Sequence, residues 1–529
     1  MHLSDFDLQQ LEPATVSRLT PSQQEGLLWK VIADLKEARE RLGAHSQNSS
    51  RPPSSDLPWS STGSEPGAAA EPEETEAEAA AGASEQSAQS PASTDDSEAG
   101  AGDSEADASD NEQNPPKRPG RVCGAPGHSR VLTLAVSATI VHRPEQCARC
   151  GQALTATGFI ARTGLYVLDV ERESNAGLLG LRVRHDKHLY GEIGCACGHR
   201  NRSEPGRCPA EVMWTVALSE WHLVGPTLAS LIVCLSQRMH LSRRRMQEFL
   251  RDWLGIELST STLNQCLHEA GRAVEPIEEQ LVEELQHAAL AYADETPWKE
   301  WGQLLWLWVI TTPTVCLYMI GYRSQEILNN IFTNDFWGWL MSDGYTVYRQ
   351  FQHRLRCWAH LLRKARGLKD SLSAEAKHFG HEAHDLMSTL IEAIHHARAG
   401  PSVDLTEHYH EPLNAFRALC EQHRDAAHEK TRALAREFLN DWEAIWIVLA
   451  HPYLPITNNE AERALRHWVI LRRITQGTRT EQGSRALALL ASVIETCRKR
   501  GILPWPYLAH VIAERRKGNP APPLPAAAA

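Results

Sequence analysis

From Ser46 to Pro119 the chain is Ser, Ala, Glu, Gly and Pro with almost no large apolar side chain. Such a segment cannot bury enough surface to offset the entropy of ordering it. Residues 46–119 therefore read as a disordered acidic linker, and folding is confined to a short stretch before it and a long one after. The linker also distorts the charge balance. Within it, residues 65–112 hold 15 Asp/Glu and no Lys or Arg, which leaves 51 acids against 54 bases elsewhere, or +3 for a chain whose formal net charge is −12. A mildly basic folded part on an acidic tether does not exclude a nucleic-acid partner.

Residues 1–45 carry a leucine-patterned helix. Thr20 and Gln23 have capping-box spacing, with Pro21 at the first helical position. Leu28, Leu35 and Leu42 recur every seven residues. That is a short coiled-coil seam, too short to be stable alone. The bland alternative is a helix packed on its own chain. At the other end, residues 516–529 read as a disordered tail, ending GNPAPPLPAAAA.

Twelve Cys in 529 residues are too sparse for a disulfide scaffold, and the opening MHLSDFDLQQLEP lacks the apolar core of a signal peptide. A reducing, cytoplasmic setting is expected. Leu304–Ile320 is apolar enough to suggest a membrane span, but Thr311-Thr312-Pro313-Thr314 interrupts it. Two Val, Ile, Trp and Tyr-rich strands joined by a turn fit better. No membrane partner is expected.

Residues 120–210 hold six of the twelve Cys. Cys147-Ala-Arg-Cys150-Gly151 and Cys195-Ala-Cys197-Gly198 bracket strand-like stretches, and each pair is followed by the Gly that a tight metal-binding turn needs. Cys147, Cys150, Cys195 and Cys197 thus form a four-thiolate candidate for one structural Zn²⁺. Cys123, His142, His199 and Cys208 are alternative ligands, and a degenerate site without metal is the bland reading.

Residues 211–283 read as helical. Ser242-Arg243-Arg244-Arg245 opens one helix, Gly255 breaks it, and a second begins near Ser259–Ser261. Two short helices around a Gly turn suit a helix-turn-helix, with Arg243, Arg244 and Arg245 as DNA-contact candidates. Plain helical domains contain the same pattern.

From Leu290 the pattern switches to strands. Asp294 ends one apolar strand, a hairpin and a helix over Gln325–Phe332 follow, and Asp343 ends another strand. That is the order of a ribonuclease-H-like α/β sheet (284–370). A lone strand-end Asp is usually a turn residue, but two in this order can converge. The third acid lies in Thr457-Asn458-Asn459-Glu460-Ala461-Glu462-Arg463. Thr457 and Glu460 have T-x-x-E spacing, which assigns Glu460 to a capping box. Glu462 shares a helix face with Leu465 and Val469, pointing it at the sheet. Three convergent carboxylates suit two Mg²⁺ ions, with Mn²⁺ an alternative, and two such ions promote phosphodiester cleavage.

Asp294-Glu295-Thr296, SDGY at Ser342–Tyr345, RCWAHLLR at Arg356–Arg363 and TNNEAERALR at Thr457–Arg466 together resemble the transposases of the insertion sequence 66 family. The match continues over Arg472–Leu508, and NSSRPPSSD at Asn48–Asp56 and the Cys pairs fit it too. The resemblance implies a DDE transposase in which Asp294, Asp343 and Glu462 are the catalytic, Mg²⁺-binding acids. It implies cleavage at the ends of a bacterial mobile element and strand transfer into target DNA, with a nucleoid location, a homo-oligomer and small accessory proteins of the same element. A ribonuclease-H-like nuclease without strand transfer, or a non-enzymatic zinc-dependent DNA-binding regulator, are the rival readings.

Between the second Asp and the Glu, residues 371–450 form a helical insertion with nine His. His381 and His384 lack the four-residue spacing of a helical zinc motif, so a solvated insertion is expected. The core resumes over 451–515. Arg463–Arg500 carries nine Lys/Arg and two Glu, which beside a nuclease site reads as phosphate contact. Asn458, Asn459, Arg463, Arg466, Arg472 and Arg473 are the DNA-binding candidates there, and His360 is a further residue beside the site.

Overall fold

The computed structural model describes residues 16–42, 134–175, 178–332, 336–400 and 404–526. The acidic linker, Cys123 and the Asn48–Asp56 motif lie outside the described residues. Helix α1 (Pro21–Leu42) starts as its sequence predicts. The Thr20 N–H donates to Gln23 Oε1 at 2.9 Å and the Gln23 N–H to Thr20 Oγ1 at 3.4 Å. Leu28 and Leu35 of the seam are exposed.

The Cys-rich region is a small mixed sheet of β1 (Ala138–His142), β2 (Ile160–Asn175), β3 (Leu178–Gly194) and β4 (Arg200–Arg202). β2 and β3 form a long antiparallel hairpin, β1 runs parallel to β3, and β4 pairs antiparallel with the end of β3. Asp169 on β2 joins this sheet to the helices that follow. Its Oδ1 accepts from the Leu228 N–H at 2.7 Å, at the start of α2 (Pro226–Gln237). Gly225 is needed there, because a Cβ would meet the Asp169 carboxylate at 2.4 Å.

Helices α3 (Arg243–Leu254), α4 (Thr260–Val274) and α5 (Ile277–Gln286) follow. Ser242 and Ser259 cap α3 and α4 through their hydroxyls, and Gly255 ends α3 at φ +64°, where a side chain would be strained. α4 buries most of its length.

The second sheet holds β5 (Leu290–Glu300), β6 (Gln303–Thr311), β7 (Cys316–Gly321), β8 (Trp339–Ser342) and β9 (Arg354–Arg356). A short helix, α6 (Gln325–Asn329), separates β7 from β8. The strand order is β7-β6-β5-β8-β9, antiparallel on the hairpin side and parallel from β5 to β9. The apolar stretch at Leu304–Ile320 is thus the expected hairpin. No described helix is long and apolar enough to cross a membrane.

α7 (Trp358–Lys369) leads into the insertion, α8 (Ala374–Ala399), α9 (His410–Gln422), α10 (Glu429–Asn440) and α11 (Trp442–Ala450). The insertion does not stand apart as a solvated appendage. Phe379, Phe416, Phe438 and Trp446 share one apolar core with Trp358 and the sheet. A buried ionic cluster completes the joint. Asp441 takes Arg354 at 2.7 Å, Arg349 at 3.0 Å and Arg356 at 3.1 Å, and Glu437 takes Arg356 and Lys364. Removing one partner would strand buried charge, so this cluster holds the insertion to β9.

The chain closes with α12 (Asn459–Thr475), α13 (Glu481–Lys499) and α14 (Pro504–Lys517). Arg516 on α14 forks onto Glu269 of α4 with two 2.7 Å contacts, both residues being buried. The tail expected from Arg516 is corrected as far as residue 526. Arg516 lies inside a helix, the Tyr507 hydroxyl and Arg500 bond the carbonyls of Pro522 and Pro525, each at 2.9 Å, and Leu524 is buried. A Pro-rich segment donates few N–H groups, but its carbonyls and one Leu suffice to dock it.

Candidate active site

β5 and β8 pair as Leu290↔Trp339, Ala291↔Leu340 and Tyr292↔Met341. Asp294 does not end its strand as expected, because pairing with β6 carries β5 on to Glu300. Continued two residues, the β5–β8 register sets Asp294 level with Asp343 on neighbouring parallel strands, which run about 4.8 Å apart. Successive side chains alternate between faces, so Glu295 points away from Asp294. Glu295 is buried, where Arg323 reaches it at 2.6 Å and the Tyr348 hydroxyl at 2.6 Å. Arg323 itself lies over the Trp306 and Tyr345 rings. Glu295 therefore anchors the strand, while its neighbour faces the site.

Asp343 folds the chain back on itself. Its Oδ1 accepts from the Tyr345 N–H at 2.8 Å. Gly344 follows because a Cβ there would lie 2.8 Å from both Arg356 Nη2 and Glu437 Oε1. The SDGY motif thus combines a candidate carboxylate with a glycine that clears the buried ionic cluster.

Helix α12 carries the third candidate acid. Its first helical residue is Asn459 and its cap position is Asn458, which makes no side-chain cap bond. The Thr457–Glu460 capping box is therefore corrected. Helix onset one residue later than that box requires places Glu460 in the second helical position. Glu460 instead pairs with Lys499 of α13 at 3.2 Å and lies 3.9 Å from Arg463. Glu462 faces the other way, towards His360 Nδ1 at 3.7 Å and Arg363 Nη2 at 3.8 Å. Its Oε1 is buried without a hydrogen-bond partner.

Asn458 ties these pieces together. Its side-chain Nδ2 donates to the carbonyl of Ala293 at 2.9 Å, one residue before Asp294. Its backbone N–H donates to Cys357 Sγ at 3.3 Å, and its carbonyl accepts from the Glu462 N–H at 3.1 Å. Cys357 in turn donates its N–H to the carbonyl of Ser342, one residue before Asp343, at 3.0 Å. Asn458 is fully buried, so its expected role as a phosphate contact is corrected to an internal tie. The sequence signal was the doubled Asn before the helix, which leaves one for the solvent side and one for the core.

Electrostatics mark the same place. Burial, then the carboxylates of Asp343, Glu295 and Glu462, push the Asp294 carboxyl well above the usual carboxylate range. Burial and the cations Arg363, Lys364 and Arg356 hold His360 down at about 3, so its ring is neutral. Among the described residues, the carboxylate oxygens of Asp294, Asp343 and Glu462 do not all lie within 4.8 Å of one another, whereas one atom each of Cys357, His360 and Glu462 do. The Cys357 thiol is held protonated by burial. That mixed trio suits a hard cation poorly.

The remaining basic candidates divide by exposure. Arg244, Arg245, Asn459, Arg463, Arg466 and Arg473 are exposed. Arg243 turns inward to Ser236 Oγ at 3.2 Å and Asn264 Oδ1 at 3.4 Å, linking α2, α3 and α4. Arg472 donates to Thr296 Oγ1 at 2.9 Å and to the Pro297 carbonyl, bracing β5. None of the nine His in 371–450 joins a group of three ligating side chains among the described residues.

The four predicted Cys do converge, at the two turns of the small sheet. Cys147, Cys150, Cys195 and Cys197 bring their sulfurs within 4.8 Å of one another, with Cys147–Cys197 at 3.7 Å and Cys150–Cys195 at 3.6 Å. Gly151 and Gly198 adopt φ +72° and +82°, closing each turn. Four sulfurs on a tetrahedron with bonds of about 2.3 Å to a central zinc are spaced by about 3.8 Å. Burial disfavours ionisation of Cys147, but the N–H groups of Cys150 and Arg149 outweigh it and bring the thiol down to about 6. The His199 N–H favours the Cys197 thiolate, but the neighbouring sulfurs push that thiol up to about 12. Four thiolates so close cannot coexist without a cation. His142, His199 and Cys208 stand outside the cluster.

Comparison with known proteins gives a consistent picture. The family model described as Transposase IS66 family matches residues 222–486, from just before α2 into α13. The chain is 25% identical over 308 residues to the uncharacterized protein y4qI of Sinorhizobium fredii, covering 52% of this chain and 56% of the relative. It is 24% identical over 333 residues to the uncharacterized protein y4hP of the same organism, covering 55% and 59%. The chain thus spans little more than half the length of these curated relatives.

Proposed function

The chain belongs to the IS66 family of transposases, and we propose that it cleaves DNA at the ends of a mobile element and joins the freed 3′ ends to target DNA. The observation that carries the reading is that Asp294 and Asp343 stand level on neighbouring strands while Asn458 ties the helix of Glu462 to β5. The strand order β7-β6-β5-β8-β9, with its antiparallel hairpin and parallel second half, supports a ribonuclease-H-like core. Two acids side by side on neighbouring strands, Asp294 within β5 and Asp343 just past the end of β8, with a third on a helix tied to them, suit phosphodiester chemistry.

Carboxylate oxygens are hard donors, and Glu462 presents one that is buried without a hydrogen bond. Asp294, Asp343 and Glu462 therefore fit a pair of Mg²⁺ ions. Such a pair would activate the attacking oxygen and stabilise the leaving one. The protein's own part is positional. Asn458 and Cys357 fix the three acids relative to one another, and Glu295 with Arg323 and Tyr348 holds β5 rigid beneath them. Exposed Asn459, Arg463, Arg466 and Arg473 on α12, with Arg244 and Arg245 on α3, would hold DNA phosphates. Because α4 is mostly buried, α3 is the helix of that pair that can face DNA. The four-cysteine cluster would hold one structural Zn²⁺. The exposed Leu28 and Leu35 supply a seam for self-association.

The experiment is a joining assay. Purified protein with Mg²⁺ and a duplex bearing the element's terminal sequence should nick at the terminus and yield a joined product with supercoiled target DNA. Nicking without joining would support a plain nuclease. Binding with neither activity, unchanged in the Asp343→Asn variant, would overturn the enzymatic reading.

A further inference from the structure

The small sheet carries a cationic cleft that the reading above leaves unused. Glu192, near the end of β3, is buried, with its side chain 9% exposed. Three arginines from the flanking strands surround it. Arg162 of β2 grips Oε1 through Nη2 at 2.6 Å and Nε at 3.2 Å. Arg200 and Arg202 of β4 stand beyond hydrogen-bond length, at 3.6 Å and 3.5 Å, and their side chains are 73% and 69% exposed. These residues line a cleft of about 400 Å³ with Thr163, Ser203 and Glu204. Glu204 points outward, 4.0 Å from Arg207, which offsets it.

Arg162 alone hydrogen-bonds the carboxylate, and two further guanidinium groups pair with it by charge without a hydrogen bond. The Arg162 hydrogen bond keeps the Glu192 carboxyl below the usual range, so it remains an anion that gathers the arginines. Strand alternation fixes their direction. Asn201, between them, is buried, and its Oδ1 accepts from the Ala148 N–H in the first cysteine turn at 2.8 Å. Arg200 and Arg202 must therefore point out. β4 begins three residues after Cys197, so both cysteine turns hold this strand in place. A cleft in which three guanidinium groups face two carboxylates, with N–H donors in excess, suits a phosphodiester rather than a base edge.

We propose that Arg200 and Arg202, gathered with Arg162 around Glu192, bind the phosphodiester backbone of duplex DNA without sequence preference. The proposal rests on the reading of the chain as a DNA-acting protein, and it adds a second contact surface distant in sequence from α12.

The test is the salt dependence of binding of the full chain to a fluorescent random-sequence duplex, read by anisotropy across a KCl series. Each lost phosphate contact lowers the slope of log K against log salt by about 0.9. Arg200→Ala/Arg202→Ala should lower that slope by about 1.8 and weaken binding roughly tenfold or more near physiological salt. The comparator is Arg424→Ala/Arg436→Ala, which removes two exposed guanidinium groups from the helical insertion. It should leave the slope unchanged. Bound zinc and circular dichroism should match wild type in both variants, since all four side chains are on the surface. An unchanged slope in Arg200→Ala/Arg202→Ala, or an equal fall in the comparator, overturns the proposal while wild-type binding leaves the functional reading standing. Absence of wild-type binding at low salt overturns both.

Discussion

Asn458 Nδ2 lies 2.9 Å from the carbonyl oxygen of Ala293, so one buried amide couples the helix of Glu462 to the strand of Asp294. Asn458→Asp keeps the shape and replaces the donor by an acceptor facing that carbonyl. The lost bond and the unpaired group should cost about 1–3 kcal/mol. Beyond stability, the variant should need more Mg²⁺ for half-maximal cleavage and should cleave at least tenfold more slowly at fixed Mg²⁺. DNA affinity measured without metal should not change, because the side chain never reaches solvent. Unaltered Mg²⁺ dependence in a folded variant would leave Asn458 a merely structural residue.

Asp294 tests the electrostatic cost of gathering acids. Its carboxyl is pushed up by burial and by Asp343, Glu295 and Glu462, so its ionised form is disfavoured in the fold. With a folded pKa above the unfolded one, ionisation weakens the fold as pH rises above the unfolded value, and protonation relieves it. Asp294→Asn should therefore raise the Tm of metal-free protein at pH 7.5 by a few degrees, at roughly 2–4 °C per kcal/mol. Mg²⁺ should raise the Tm of wild type but scarcely that of the variant. A lower Tm for metal-free Asp294→Asn would contradict this account.

The legible part of the fold was the part written in short-range pattern. The hairpin across Leu304–Ile320, the Ser242 and Ser259 caps and the glycines after each Cys pair all follow from local chemistry. The convergence of the cysteines was legible too, because paired thiols with turn glycines leave few alternatives. What failed depended on long-range partners. Thr457 and Glu460 have the spacing of a capping box, yet helix onset at Asn459 removes its geometry, and Lys499, 39 residues away in the chain, takes Glu460 instead. Arg243 and Arg472 read as surface cations in sequence, but each finds an acceptor on another element. The insertion's ties to Arg356 through Glu437 and Asp441 were likewise invisible, since charged residues in helices normally face water.

His240 and His467 couple the helical region to α12. Their Nε2 atoms are 3.0 Å apart, and His467 also approaches the Gln237 carbonyl at 2.7 Å. Burial holds both rings below their ordinary value, with Arg238 adding to it and His467 lying at about 4. The unfolded chain binds more protons than the folded one between about 6.5 and about 4, so stability falls as pH drops through that window. Because both rings are part-exposed, the loss should be at most about 2 kcal/mol. Urea midpoints at pH 7.5 and 5 should differ less for His467→Asn than for wild type.

The cysteine cluster should hold one metal ion per chain. Cys150→Ser or Cys197→Ser should abolish tight zinc binding and expose β4 to proteolysis, because metal binding and local folding are coupled. The five-stranded sheet should remain assembled, since its core is built from other residues. Elemental analysis of protein purified under reducing conditions reads the first outcome, and limited proteolysis the second. A metal-free wild type with an intact small sheet would remove zinc from the account.

Glu460 and Glu462 separate a geometric assignment from a count of acids. They lie two residues apart on α12, yet Glu462 turns towards His360 and Arg363 and presents a buried oxygen without a hydrogen bond, while Glu460 turns towards Lys499. Glu462→Gln keeps the shape and removes the charge a cation would need. Folding and DNA binding should survive while cleavage falls by orders of magnitude. Glu460→Gln weakens a part-exposed ion pair, which costs about 0–1 kcal/mol, and most activity should remain. Lys499→Gln should match it, because the two side chains serve one contact. If Glu460→Gln proves dead and Glu462→Gln active, the helix is read on the wrong face. Equal residual activity in the two would mean that neither glutamate is the third acid, and the site would have to be completed from another element.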